Sequence, residues 1–234
     1  MHVTFPHLPA WQGVQFYLGG QSLDTQESIN GTPVVVPTMR GRWMATVSMV
    51  LHDEGSTLQW LAFLAQMQGR IGTTDVPVLS RYRPKTGRTG PGGGLQPSFG
   101  SVATLAEAQF MEHSGFGQTS IGRVVLNGAI ALRETQIEAR FNGNTTGLRP
   151  GHYFSMDGDL HRALQVYESR KTEGGSPRYA VRMEPPARKA HPGETQMEVD
   201  NPTCRMRFVT ETEGLFDQSL SLLPTVTCNF IEAN

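Results

Sequence analysis

Apolar and polar residues alternate most regularly in "RGRWMATVSMVLH", where Trp43, Ala45, Val47, Met49 and Leu51 take one parity and Arg42, Met44, Thr46, Ser48 and Val50 the other. Period two predicts a half-buried β-strand, because successive side chains of a strand point to opposite faces. The period then lengthens. "DEGSTLQWLAFLAQMQGR" spaces its apolar residues by three and four and predicts the chain's one convincing helix, about residues 56–69. Ser56 with Gln59 three positions on has the form of a capping box, and Gly69 stands where a left-handed C-cap would end the helix. Leu58, Leu61, Ala62 and Ala65 line one stripe, which Trp60, Phe63, Leu64 and Met67 widen. So wide an apolar surface needs cover on more than one side, and predicts packing on the chain's own sheet and against a neighbouring subunit.

Strand patterns return in the second half. "SIGRVVLNGAIALRETQIEARF" reads as two or three strands joined through Asn127-Gly128, with Ile137, Ala139 and Phe141 alternating against Glu138 and Arg140. "HYFSMDGDLHRALQVYES" predicts a hairpin turning at Asp157-Gly158, a dipeptide that accepts the positive φ angles of a tight primed turn. "SPRYAVRMEPP" and "ETQMEVDNP" are short strands ended by prolines, and "PTVTCNFIEA" is the final strand. This order predicts an all-β fold with one flanking helix, an antiparallel barrel or sandwich. The expected organisation is a first part of the core over 1–80, a loop-rich and β insertion over 81–147, and the remaining core strands over 148–234. No internal repeat has a fixed period.

Composition agrees with many short strands and turns: 38% of the 234 residues are apolar, and Gly and Pro number 26 and 15. Twenty Lys and Arg against 21 Asp and Glu give a net charge of -1, so no whole-chain field draws nucleic acid or an anionic membrane, and direct DNA contact is not expected. "MHVTFPHLPAW" lacks a basic segment followed by an apolar core, and no apolar run approaches the roughly 18 residues of a membrane span. The expectation is synthesis in a reducing cytoplasm, with cysteines as thiols.

The insertion opens with "RYRPKTGRTGPGGGLQPSFG", dense in Gly and Pro and free of acidic residues. It has no Gly-Lys-Ser/Thr ending and no amphipathic helix after it, so it reads as a long basic contact loop rather than a phosphate cradle. Seven histidines show none of the spacings that gather imidazoles on one metal. A hairpin at Asp157-Gly158 would set His152 and His161 diagonally on one face, roughly 7 Å apart, with Asp159 near; they read as exposed sheet histidines. Asp157 with Asp159, and Asp53 with Glu54, read as turn formers and helix-start acids. Cys228 alternates with Val226 and Phe230 and reads as a small buried hydrophobe, while Cys204 beside Arg205 has no histidine close in sequence to act as its base. With no nucleophile elbow, kinase signature or dinucleotide fingerprint, no catalytic, cofactor or metal residue is expected.

Three stretches together resemble the distal tail proteins of long-tailed, non-contractile bacteriophages. "RGRWMATVSMVLHDEGSTLQWLAFLAQMQGRIG" is similar to their strand, helix and Gly-Arg turn; "LRPGHYFSMDGDLHRALQVYESRKTEGGSPRYAVRMEPPARKA" to their hairpin and "PP-x-R" strand end; "NPTCRMRF" and "NFIEA" to their Cys-x-Met-Arg segment and closing strand. The likeness covers about two thirds of the chain and is thinnest from Gly72 to Gly147. It implies a tail-tube-like β-barrel with one flanking helix, the last strand belonging to that core, and a virion protein forming a ring, commonly of six copies, between the tail tube protein and the tail-tip hub protein. Partner contacts would then fall on Trp60, Phe63 and Met67 around the helix and on Arg81, Arg83, Lys85 and Arg88 of the basic loop. Two other readings stay open: a carbohydrate-binding sandwich using Trp11, Tyr82 and Phe116 on host-surface glycans, and a cytoplasmic Cys or His enzyme acting through Cys204.

Overall fold

The structure is a computed structural model that describes residues 1–6, 11–22, 26–27, 30–31, 33–36, 38, 41–80, 88–89, 95–96, 124–141, 147–169, 178–216 and 224–233. In chain order the elements are β1 (Trp11–Gly19), β2 (Gln26–Glu27), β3 (Pro33–Val34), β4 (Arg42–Val50), α1 (Glu54–Met67), β5 (Thr74–Pro77), β6 (Arg88–Thr89) and β7 (Leu95–Gln96). There follow β8 (Val124–Leu126), β9 (Gln136–Phe141), β10 (Tyr153–Met156), β11 (Asp159–Ser169), β12 (Arg178–Glu184), β13 (Gln196–Met197), β14 (Thr203–Phe208) and β15 (Thr225–Glu232). The fold is all-β, with one helix among the described residues. It divides into two compact units, one formed by residues 1–79 and 204–234 and the other by 80–203.

The first unit is built from both ends of the chain. Its sheet runs β1-β4-β15-β14-β5, so the C-terminal strand lies inside the sheet, paired with β4 on one side and β14 on the other. The parity of β4 decides its faces: Trp43, Ala45, Val47 and Met49 are buried, joined by Val226, Cys228 and Phe230 of β15. The opposite face carries a polar ladder across the same pair, with Thr46 Oγ1 donating to Asn229 Oδ1 at 2.9 Å and the Ser48 and Thr227 hydroxyls 3.1 Å apart. Such cross-strand pairs fix the register of a half-buried sheet.

Helix α1 starts two residues earlier than its sequence suggests. The N-cap is Asp53, whose carboxylate accepts the Ser56 amide at 2.7 Å while Ser56 Oγ accepts the Asp53 amide, so Ser56 is the return partner of the capping box and not its cap. Hydrogen bonding from the Ser56 side chain and from its backbone amide holds the Asp53 carboxyl below its usual range. At the other end Gln68 (φ 48°) and Gly69 (φ 64°) are both left-handed, and the Gly72 amide donates back to the Met67 carbonyl at 2.8 Å. The buried stripe is Ser56, Trp60, Phe63 and Met67; Leu58, placed on the main stripe by its spacing, is 57% exposed. The helix is apolar round most of its circumference, so the 3.6 period admits several stripes. The sheet takes the one with the aromatic rings: Phe63 lies 5.2 Å from Trp60, 5.4 Å from Phe5 and 6.0 Å from Phe208, and Phe208 stacks on Phe230 at 4.9 Å.

The second unit is a six-stranded antiparallel sheet, β10-β11-β12-β9-β8-β13, curled until it nearly closes into a barrel. Ser155 of β10 and Glu198, just past β13, exchange both backbone hydrogen bonds at 2.8 Å and join its two edges. The core is filled by Leu126, Ile137, Ala139, Phe141, Phe154 and Met183 among others. Asp157 (φ 48°) and Gly158 (φ 86°) make the two-residue turn between β10 and β11 as the dipeptide predicts. The strands at Asn127-Gly128 are joined differently: nine residues, 127–135, separate β8 from β9.

This pairing moves the expected boundary at 147. Strands β10 to β13 pair among themselves and with β8 and β9, and the chain rejoins the first sheet only at β14. Alternation shows which side chains of a strand are buried but carries no label for the sheet that buries them.

Candidate functional site

Trp60, Phe63 and Met67 do not face outward. Their exposure is 0%, 3% and 0% within the single chain, and Trp60 Nε1 donates to the Gly214 carbonyl at 2.9 Å, so they pack the first unit's own core and are corrected as partner-contact residues. The outward side of the helix is Leu58, Ala62 and Ala65, with Leu61 and Leu64 half-buried. Close in sequence to its C-terminal end, Ile71 is 70% exposed, and Leu215, which follows the glycine that packs against Trp60 and Leu64, is 67% exposed. An outer face with no formal charge at these positions is a surface suited to contact. Of the basic-loop residues, Arg81, Arg83 and Lys85 fall outside the described residues; Arg88 belongs to β6, opposite Gln96 of β7.

The cysteines are both free and buried. Cys228 packs on the same face as Val226 and Phe230, its Sγ 3.8 Å from the Val47 carbonyl, and burial pushes its thiol well above the usual range, with the Glu213 charge adding to the effect. Cys204 is fully buried, and Arg205, on the opposite parity of β14, turns outward to Asp75, with its Nε 3.1 Å from the carboxylate. Trp11, named for a sugar platform, stacks on Phe5 at 5.4 Å between ring centroids, while Tyr82 and Phe116 lie outside the described residues.

The second unit holds a cluster that sequence spacing did not gather. His161 faces Phe154 across β10 and β11 and is not an exposed sheet histidine: it is fully buried, with its ring stacked at 5.6 Å. Its Nδ1 lies 2.9 Å from the Pro185 carbonyl, and burial, against that hydrogen bond, lowers its pKa to about 4. His191, also buried, stands between two carboxylates of the turn, with Nδ1 3.4 Å from Asp157 and Nε2 3.7 Å from Asp159. Lys189 adds a contact of 3.4 Å to Asp159 and donates to the Asp157 carbonyl at 3.3 Å. Asp157 and Asp159 are therefore more than turn formers. His152, opposite Ala163 as its register predicts, is half-buried; its Nδ1 accepts the Arg149 amide at 3.1 Å, and burial and Arg149 lower its pKa. Among the described residues no three His, Cys, Asp or Glu side chains come together as a metal site. His161 and His191 are thirty residues apart, and no short motif links them.

The chain matches no family model and no curated protein. No helix among the described residues is long and apolar enough to cross a membrane.

Proposed function

We propose that this protein is a structural subunit of a ring at the distal end of a bacteriophage tail, joining the tail tube protein to the tail-tip hub protein and assembled from identical copies, commonly six. The observation that carries the reading is the position of β15. The last strand lies between β4 and β14, so the stretches that resemble distal tail proteins at the two ends of the chain belong to one sheet. A ring of identical subunits needs heterologous contacts, one surface of each copy meeting a different surface of the next. The outer side of α1, with Leu58, Ala62 and Ala65 and with Ile71 and Leu215, is the surface assigned to such a contact. The basic loop that begins at Arg81 supplies the second, with Arg83, Lys85 and Arg88.

The deciding test is native mass spectrometry beside negative-stain microscopy of the purified chain, alone and mixed with tail-tube protein. Closed rings of one copy number, formed alone or on the tube, are the expected result. A strict monomer under both conditions would overturn the reading.

A further inference from the structure

The cluster at the β10–β11 turn is built around an uncharged imidazole. A carbonyl oxygen can only accept, so the 2.9 Å contact to Pro185 places the proton of His161 on Nδ1. Nε2 then holds a lone pair, buried and, among the described residues, without a hydrogen-bond partner. A second proton there would create a cation in the core, facing Arg188, Lys189 and His191 from the segment after β12 and the ring of Phe154 from β10. The turn's own carboxylates are engaged elsewhere: Asp157 and Asp159 face His191 at 3.4 and 3.7 Å, and Lys189 approaches Asp159 at 3.4 Å. Residues 185–191 thus grip the hairpin three times, through the Pro185 carbonyl, Lys189 and His191. The first of these contacts lies against a ring on which burial disfavours a second proton in place.

We propose that this cluster is an acid-operated latch: while His161 is neutral, residues 185–191 hold the β10–β11 turn closed, and protonation of His161 releases the turn from them. Solvent entering the opened cluster would hydrate the imidazolium and separate it from Arg188 and Lys189. Burial holds the ring's pKa at about 4 when closed, against 6.5 when free. Between those limits the open form takes up a proton that the closed form refuses. The opening equilibrium should therefore rise about tenfold per pH unit, to a limit on the order of 10²-fold.

Hydrogen exchange followed by mass spectrometry on the full chain, corrected for the intrinsic pH dependence of exchange, tests this. His161→Asn keeps a donor toward the Pro185 carbonyl and cannot be charged. Between about pH 7 and about pH 4.5 the wild type should lose protection at least about tenfold in residues 153–163 and 185–191, and the Asn variant should not. Constant wild-type protection, or equal loss in both proteins, would overturn the latch. If the variant does not fold, imidazole nitrogen NMR of the wild type decides. The His161 ring taking its second proton in step with lost protection supports the latch; a ring that charges with the turn still closed, or stays neutral while it opens, overturns it.

Discussion

Single residues show how burial changes chemistry that sequence leaves open. A thiol beside an arginine suggests a reactive nucleophile, yet Cys204 and Arg205 sit on opposite parities of one strand, and the guanidinium pairs with Asp75. With both thiols buried, a thiol reagent at neutral pH should leave Cys204 and Cys228 unlabelled in the native protein and label both after denaturation; stoichiometric native labelling would contradict the packing. His161 makes the pH argument at this scale. Its folded pKa, about 4, lies below the free value of 6.5, so between them the unfolded chain binds more protons and stability rises with pH. The contribution is intact above about pH 6.5 and is lost as pH falls toward 4, by about 3 kcal/mol at most. Urea titrations at several pH values should show a steeper acid loss for the wild type than for His161→Asn, and parallel curves would remove His161 as the cause.

Among the elements, α1 shows what periodicity can and cannot say. The existence of the helix follows from its spacing, but its start does not, and Trp60, Phe63 and Met67 are as compatible with an outward stripe as with an inward one. The sheet chose the stripe with the larger rings, because burying an aromatic removes the most apolar surface from water. That choice depends on a glycine 154 residues away: the Gly214 carbonyl accepts the indole proton of Trp60, and a Cβ on Gly214 would come within 2.8 Å of the ring. Gly214 also has φ 74°, a conformation that side chains disfavour. Gly214→Ala should therefore destabilise the protein by about 1–3 kcal/mol, read as a lower urea midpoint at unchanged slope. A midpoint equal to wild type would mean that the loop and the helix do not pack as described.

At the scale of the whole molecule, the ring proposed above would make the outer face of α1 a place where folding and assembly can be told apart. Leu58 is exposed in the single chain, so Leu58→Asp should change monomer stability by no more than about 0.5 kcal/mol and yet abolish the proposed ring in native mass spectra. Rings that persist in that variant would move the contact off the helix. The sequence by itself determined the strand parities, the helix, the turn at Asp157-Gly158 and the burial of Cys228, because each is a local consequence of side-chain period or backbone conformation. Tertiary structure alone decided that β10 to β13 curl into a second unit rather than extend the first sheet, that β15 lies between β4 and β14, and that His161 meets residues 185–191. The physical reason is common to all three: a strand's pattern records which of its faces is dry, whereas its partner is chosen by contacts between residues far apart in the chain.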